Sequence, residues 1–326
     1  MLSNKLSEII FPIQKELDTF NEIFKSSLKS KVGLVDLVMK YILKQKGKKI
    51  RPVLVLFAAG VSGGITERAY RGAVLVEMLH TATLVHDDVV DAAEMRRGLP
   101  SINAVWKNKV AVLIGDYLLS RGLMLAVDGN DFDFLRVVTD TVKRMSEGEL
   151  LQISKTRKLD LDEETYFQII SDKTASLIST CCEIGARSAS EDPKVIESLR
   201  NFGEALGIAF QIRDDILDYT GQSKVIGKPL GGDIKEKKIT LPLIYSLKQV
   251  EKKESERIIK LIKSERKKGR IKEVIDFVIV NGGIEYAEGE ADKYINKAIE
   301  SISEFPESEY KNSLKSLVNF VVKRKS

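Results

Sequence analysis

The sequence predicts an all-helical protein. Apolar residues recur at helical spacing along most of the 326-residue chain, as at Leu75, Leu79 and Ala82, where three or four residues separate one from the next. Alternating strand patterns are scarce, and the seven prolines fall where helices start or in loops, so long helical stretches remain between them. We therefore expect roughly a dozen helices.

The breaks between these helices are short. They are predicted at Val61–Thr66, Asp128–Asp133, Ser190–Pro193, Thr220–Asp233 and Asn281–Gly283. None has the length or low complexity of an interdomain linker. The sequence therefore predicts a single domain over residues 1–326.

Composition narrows the class of protein. Hydrophobic residues make up 43% and charged residues 30% of the chain, the balance of a globular protein that folds in water. The net charge of +5 is spread along the chain and only 7% of residues are aromatic, which argues against a nucleic-acid-binding protein.

The segments that would direct the chain to another compartment are not found in the sequence. No uninterrupted apolar run approaches the ~20 residues that span a bilayer, and the N-terminal segment mixes acids and bases. Cys181 and Cys182 are neighbours and cannot join distant segments by a disulfide. A cytoplasmic protein that does not span a membrane is expected.

Two aspartate triplets of the form DDxxD end apolar helical stretches, one at Asp87, Asp88 and Asp91 and the other at Asp214, Asp215 and Asp218. A helix turns about 100° per residue, so the first and third aspartates of each triplet share a face. Carboxylates this close repel one another unless a cation lies between them. One such motif is more often a solvated acidic face. Two of them on apolar helices change this interpretation: if the helices face each other, six carboxylates line one cavity, and hard oxygen ligands of this kind select Mg²⁺, which binds substrate phosphates.

Basic residues accompany these triplets. Lys48 and Arg51 lie three apart in the segment GKKIRP, and Arg96 and Arg97 follow the first triplet closely. Each pair alone is more often a surface patch. Beside two carboxylate clusters, they favour a diphosphate site, because guanidinium groups bind phosphate oxygens through two parallel hydrogen bonds.

These residues resemble a known family, the trans-prenyl diphosphate synthases or polyprenyl synthetases, and among them the long-chain octaprenyl and heptaprenyl diphosphate synthases. The resemblance runs from about Gly47 to Pro242 through GKKIRP, LHTATLVHDDVVD, MRRGLPS, GDYLL, GELLQ, DKTA, FQIRDDILD, GKPLGGD and KKITLP. It implies a bundle of mostly antiparallel helices around a central cavity, a homodimer, and the joining of an allylic diphosphate to isopentenyl diphosphate. Contact with a membrane is expected only at its surface, through the lipophilic product.

The resemblance also assigns roles to individual residues. Both triplets correspond to magnesium ligands, with Asp214 foremost in the second, and Arg96 corresponds to the clamp on the allylic diphosphate. The pocket for the diphosphate of isopentenyl diphosphate corresponds to Lys48, Arg51, His80 and Arg97. Polar positions of the reaction centre correspond to Lys173, Thr174, Gln211, Lys228 and Lys238.

The two histidines are interpreted differently. A histidine on an apolar helix is usually structural, but His80 lies seven residues before Asp87, two turns along the same face. His86 matches no substrate role and is interpreted as structural. No side chain stands out as a general base, so the departing diphosphate is expected to accept the proton lost after condensation.

Product length is predicted from the helix beneath the first triplet. Ala82 and Thr83 are small and lie five and four residues before Asp87, where short-chain relatives often carry a bulky aromatic floor. The chain is thus expected to grow past them towards Leu79, to about six to eight isoprene units by family analogy. A shorter-chain farnesyl or geranylgeranyl synthase and a non-catalytic subunit of a heteromeric synthase are the alternatives. A terpene cyclase is disfavoured, because DDILD is intact.

Overall fold

A computed structural model describes residues 2–45, 47–159, 161–221, 230–264 and 269–322 of the chain. The predicted all-α class is confirmed. Within these ranges the regular structure is helical except for one hairpin of two short strands, each of two residues. Lys228, a predicted site residue, lies outside the described residues.

The first half of the chain contains helices α1 to α7 and the hairpin. The helices are α1 (Leu2–Ile10), α2 (Gln14–Ser27), α3 (Gly33–Lys44), α4 (Ile50–Ser62), α5 (Glu67–Val90), α6 (Ile102–Asp128) and α7 (Phe132–Lys158). A short 3₁₀ helix, Phe11–Ile13, joins α1 to α2. The hairpin strands are β1 (Met95–Arg96) and β2 (Leu99–Pro100), which pair antiparallel.

The second half is helical throughout its described residues. It contains α8 (Glu163–Ile170), a π-helical turn (Ser171–Ala175), α9 (Ser176–Ala189), α10 (Pro193–Thr220), α11 (Gly232–Lys235), α12 (Leu241–Lys248), α13 (Lys252–Lys263), α14 (Arg270–Val280), α15 (Gly283–Ser301) and α16 (Glu309–Val322). The helix breaks predicted around residues 63, 130, 191 and 282 are all present.

The described residues fall into two compact units. Unit 1 draws on Met1–Asp140, Thr180–Arg200 and Phe305–Leu314, and unit 2 on Thr141–Ser179, Asn201–Glu304 and Lys315–Ser326. The prediction of one domain over the whole chain stays a prediction.

Unit 1 is built on α4 and α5, whose side chains are buried on nearly every face. The Thr66 hydroxyl caps α5 by accepting from the Ala69 amide, which satisfies one of the free N–H groups of the first turn. Gly185 of α9 lies so close to α4 that an added Cβ would be 2.3 Å from the Val55 carbonyl oxygen. Its missing side chain allows this close approach of α9 to α4.

Unit 2 has its own apolar core. It is formed by side chains of α8, α10, α12, α13, α14 and α15, among them Ile212, Ile216, Leu243, Ile262 and Val278. Ile212 and Ile216 are buried, the first lying two residues before the second aspartate triplet and the other within it. The core therefore fixes α10 along the side opposite the exposed Asp214.

One described helix, α6, is long and apolar enough by length and composition to cross a membrane. A third of its most apolar stretch, 33%, is buried within the protein, and the helix packs along α5. A core helix of a water-soluble protein meets the same criterion. Its apolar runs are interrupted by Lys107, Lys109, Asp116 and Arg121, so no uninterrupted apolar stretch marks it in the sequence.

Candidate active site

The first triplet lies at the C-terminal end of α5 in unit 1. The helix ends at Val90, and Asp91 caps it by donating its amide to the Asp87 carbonyl oxygen at 2.8 Å. Asp87 and Asp91 are exposed, one turn apart as predicted. Asp88 is only 2% exposed and accepts a hydrogen bond from Arg96 Nε at 2.8 Å, with Arg96 Nη2 also in contact.

The β1–β2 hairpin positions Arg96. Its turn contains Arg97 with φ 51° and Gly98 with φ 78°, both in the left-handed region. The Ser101 hydroxyl donates to the Ala93 carbonyl at 2.6 Å, and the Tyr41 hydroxyl donates to the Pro100 carbonyl at 2.8 Å. These bonds fasten both ends of the hairpin, so Arg96 faces Asp88 from a fixed backbone.

A second group of charges surrounds His80 in unit 1. Arg51, in the first turn of α4, has its Nη1 2.9 Å from His80 Nε2. Arg97 lies over Gly47, where an added Cβ would be 2.4 Å from Arg97 Nη1. The structure thus gathers three of the four residues predicted to bind isopentenyl diphosphate, while Lys48 is exposed next to Gly47.

Burial and positive charge keep His80 neutral. Its pKa is lowered to about 2, first by burial and then by the charges of Arg51, Arg97 and Arg96. Because a guanidinium can only donate, the His80 Nε2 accepts from Arg51 and the proton lies on Nδ1. His80 therefore orients Arg51 as a neutral acceptor.

Glu77 is the buried carboxyl of this group, and the sequence analysis did not name it. Burial raises its pKa, and Arg51, Arg97 and Lys49 oppose that shift. It lies one turn before His80 on α5 and is 7% exposed. A glutamate inside an otherwise apolar helical stretch was the available signal.

The second triplet lies near the C-terminal end of α10 in unit 2. Asp214 is exposed, whereas Asp215 is 5% exposed and accepts a hydrogen bond at each carboxylate oxygen. The Tyr166 hydroxyl donates to Asp215 Oδ2 at 2.7 Å and Gln211 Nε2 donates to Oδ1 at 2.8 Å. The pKa of Asp215 is raised, chiefly by burial and then by the charge of Asp233.

Asp218 accepts hydrogen bonds from backbone amides at the start of α11. Its two carboxylate oxygens accept the amide of Gly232 at 2.9 Å and that of Asp233 at 3.0 Å. Burial, followed by the charge of Asp218, raises the pKa of Asp233 to about 6. Asp233 ends the segment GKPLGGD but was not predicted as a site residue, because nothing local distinguishes it from a helix-start aspartate.

Two predicted reaction-centre residues share the π-helical turn. Lys173 Nζ donates to Gln152 Oε1 at 2.8 Å and pairs with Glu149. The Thr174 hydroxyl donates to Gln211 Oε1 at 2.9 Å. A line of hydrogen bonds therefore runs from Thr174 through Gln211 to Asp215.

The remaining predicted residues are Lys238 and the chain-length positions Leu79, Ala82 and Thr83. Lys238 pairs with Glu236 at 2.6 Å, and its charge acts on Asp233. Leu79 and Ala82 are both 2% exposed in α5, and the Thr83 hydroxyl bonds back to the His80 carbonyl at 2.9 Å.

His86 and both cysteines are interpreted as structural, and for His86 this stays a prediction. His86 Nε2 lies 3.2 Å from the Val112 carbonyl and over Gly115 of α6. Both cysteines are buried and unbridged, and burial raises the pKa of Cys181 to about 12. A thiol in this state is unreactive.

No three His, Cys, Asp or Glu side chains of the described residues gather closely enough to form a metal site on their own. In each triplet the second carboxylate is occupied by donors from the protein, while the first is exposed. The exposed carboxylates offer hard oxygen donors, the chemistry that suits Mg²⁺ or Ca²⁺.

Comparison with known proteins gives matches over most of the chain. A family model described as polyprenyl synthetase matches residues 33–278. An all-trans-nonaprenyl-diphosphate synthase (geranyl-diphosphate specific) of Rhodobacter capsulatus is 36% identical over 97% of this chain and 97% of its own length. A heptaprenyl diphosphate synthase component 2 of Bacillus subtilis is 33% identical over 96% of this chain and 89% of its own.

A relative named for a short-chain product also matches, and so does a protein of known crystal structure. A short chain isoprenyl diphosphate synthase of Methanothermobacter thermautotrophicus is 34% identical over 87% of this chain and 89% of its own length. The crystal structure of a polyprenyl synthase from Caulobacter crescentus, complexed with calcium and isoprenyl diphosphate, is 31% identical, with a TM-score of 0.90 over 98% of both chains.

Proposed function

The chain belongs to the polyprenyl synthetase family of prenyltransferases, and we propose that it builds a long all-trans polyprenyl diphosphate of about C30 to C40 by analogy with that family. Its substrates are an allylic diphosphate and successive isopentenyl diphosphates. The proposal rests mainly on the side chains that carry opposite charges: two aspartate triplets on apolar helices, and the Arg51, Arg96 and Arg97 guanidiniums.

Diphosphate binding in this family depends on a divalent metal ion, and we propose Mg²⁺. The donor set fits, because Asp87, Asp91 and Asp214 present exposed carboxylates. Asp88, Asp215 and Asp218 complete the predicted ligand set, and each accepts hydrogen bonds from protein groups. When bound, the metal neutralises negative charge on the departing diphosphate.

Substrate binding and further charge stabilisation are assigned to side chains of the protein itself. On this proposal, Arg96 grips the allylic diphosphate and exchanges its bond to Asp88 for one to phosphate. Arg51, Arg97 and Lys48 bind the diphosphate of isopentenyl diphosphate, with neutral His80 orienting Arg51. Lys173, Lys228 and Lys238 stabilise charge on the leaving group, and the oxygens of Thr174 and Gln211 face the allylic cation.

Chain length is the finer part of the proposal. Ala82 and Thr83 lack the bulk of a floor, and Ala82 and Leu79 lie inside the α5 core. A shorter-chain synthase is the second candidate, and the similarity to a short chain isoprenyl diphosphate synthase favours it.

We also propose a homodimer in the cytoplasm, with membrane contact limited to release of the lipophilic product. Unit 1 exposes large apolar side chains on and beside α3 and α6, at Val32 (59%), Leu37 (55%), Leu113 (58%) and Phe132 (61%). A second copy of the chain would cover such a surface. The similarity to a heptaprenyl diphosphate synthase component 2 favours a different second subunit as the alternative.

The deciding experiment incubates the pure protein with isopentenyl diphosphate, an allylic starter and Mg²⁺, and measures product mass after dephosphorylation. We expect products of about six to eight isoprene units, and none in the presence of a metal chelator. Products that stop at three or four units support the shorter-chain candidate. A dimer that makes no product contradicts the proposal, and activity restored by a second subunit identifies a heteromeric enzyme.

A further inference from the structure

We propose that Arg144 is a positioning residue that holds the π-helical turn Ser171–Ala175 and thereby sets the places of Lys173 and Thr174 for the reaction. The inference deepens the proposed function and rests on it. Arg144 lies on α7 and is not among the residues that touch substrate in that proposal.

Arg144 binds the π-helical turn and α10 at the same time. Its Nε donates to Asp172 Oδ1 at 2.8 Å, and its Nη2 donates to Ser171 Oγ at 3.0 Å and to Glu204 Oε1 at 2.9 Å. Ser171 also donates to Glu204. One planar guanidinium thus joins three helical segments through a fork that lysine cannot reproduce.

The turn needs an external support. A π-helix has poorer hydrogen-bond geometry than an α-helix and occurs mostly as a single turn, often at functional sites. Here it is a single five-residue turn between α8 and α9. Without the bonds to Asp172 and Ser171, the insertion is free to relax to α-helix, which rotates the following residues by about 100° per residue displaced.

Glycines bring α10 directly against this turn. An added Cβ at Gly207 would be 2.5 Å from Ala175 Cα, and one at Gly203 would be 2.6 Å from Ser179 Cα. On the same helix, Glu204 reaches Arg144 and Gln211 reaches Thr174. The turn is therefore held at its first two residues by the Arg144 group and at Thr174 by Gln211.

The main test compares Arg144→Met with Arg136→Met, a matched change of an exposed arginine on the same helix. We expect Arg144→Met to lower kcat by about tenfold or more, because small displacements of reacting groups are costly. The KM for isopentenyl diphosphate should stay within about twofold, since the residues proposed to bind it lie in unit 1. Arg144→Lys should recover part of the loss, and Arg136→Met should match the wild type.

A double-mutant cycle separates positioning from general damage. If Arg144 acts through Thr174, its replacement should cost much less kcat in a Thr174→Ala background than in the wild type. An equal cost in both backgrounds, or an unchanged kcat in Arg144→Met, overturns the inference.

Hydrogen exchange tests the same inference without any activity. The amides of residues 171–175 should exchange at least about tenfold faster in Arg144→Met, with the core of unit 2 unchanged. Unchanged exchange there contradicts the inference even if kcat falls. A wild-type protein that forms no prenyl product contradicts the proposed function, while the exchange result still decides whether Arg144 holds the turn.

Discussion

The two aspartate triplets have the same spacing but different support. In unit 1, the buried second aspartate, Asp88, binds the guanidinium of Arg96. In unit 2, the corresponding Asp215 accepts from two neutral groups, Tyr166 and Gln211. The first aspartate of each triplet is exposed.

This difference indicates that the first and second aspartates of each triplet have different roles. The first carboxylates are exposed to solvent, where an incoming cation can reach them, whereas the buried second ones are anchored to the protein. On the proposed function, the substrate diphosphate competes with Asp88 for Arg96, so the contact between Asp88 and Arg96 is one that can be exchanged. Asp215 is anchored by neutral donors, and burial raises its pKa. The Asp215 side chain is therefore expected to keep its hydrogen bonds to Tyr166 and Gln211.

The largest expected effect comes from removing either exposed carboxylate. Asp87→Ala and Asp214→Ala should each lower kcat by orders of magnitude, about 10²-fold or more, because each removes a proposed cation ligand. Steady-state assays would measure this beside Asp140→Ala and Asp292→Ala, which change exposed aspartates elsewhere in units 1 and 2. Near-normal turnover in either site variant would mean that the two triplets are not equivalent in metal binding.

The anchors should differ in their effect on stability. Arg96→Met leaves the buried Asp88 carboxylate without its charged partner and should lower the free energy of unfolding by about 3 kcal/mol. Tyr166→Phe removes one neutral donor from Asp215 and should cost about 1 to 2 kcal/mol. Urea denaturation of both variants checks the order, and equal costs would remove the distinction between a charged and a neutral anchor.

The His80 group predicts a pH dependence specific to unit 1. Its folded pKa lies near 2 and its ordinary value is 6.5, so the unfolded chain binds the proton more tightly. Stability contributed by neutral His80 is therefore complete above pH 6.5 and is lost as the pH falls below it. The loss between pH 7 and pH 4.5 should be about 2.5 kcal/mol.

His80→Gln isolates this contribution, because glutamine keeps an acceptor for Arg51 and does not titrate. Glu77 acts in the opposite sense: its pKa is raised, so its contribution to stability falls as the pH rises through the folded value. It remains in both proteins. The difference between the free energies of unfolding of the two proteins should thus be constant above pH 7 and change on acidification, and a difference that stays constant down to pH 4.5 would contradict the prediction.

The smallest effect on turnover is expected from Ala82→Phe. A phenyl ring at this buried position of α5 should build a floor and shorten the main product without abolishing the first condensation. Chromatography and mass spectrometry of the dephosphorylated products would measure it, with Thr83→Ser as a control that adds no bulk. Unchanged product length would exclude Ala82 from the path of the growing chain.

Residues on one helix were predictable, and partners from distant elements were not. The period of α5 predicted that Asp87 and Asp91 share a face, and the apolar run before Asp214 predicted α10, because both follow from local spacing. The contact of Tyr166 with Asp215 and that of Arg144 with Glu204 join residues 49 and 60 positions apart, which no local pattern encodes. The π-helical turn was also missed, since its sequence is compatible with a continuous α-helix.

The anchor of each triplet also spans a different length of chain. Arg96 lies 8 residues from Asp88, whereas Tyr166 lies 49 residues from Asp215. Closing the longer loop costs about 1.6 kcal/mol more chain entropy. During refolding, the Asp88 anchor can therefore form as soon as the end of α5 and its hairpin meet, while the Asp215 anchor must wait for α8 and α10 to come together. A nascent chain emerging from the ribosome would complete the first of these arrangements well before the second had been synthesised.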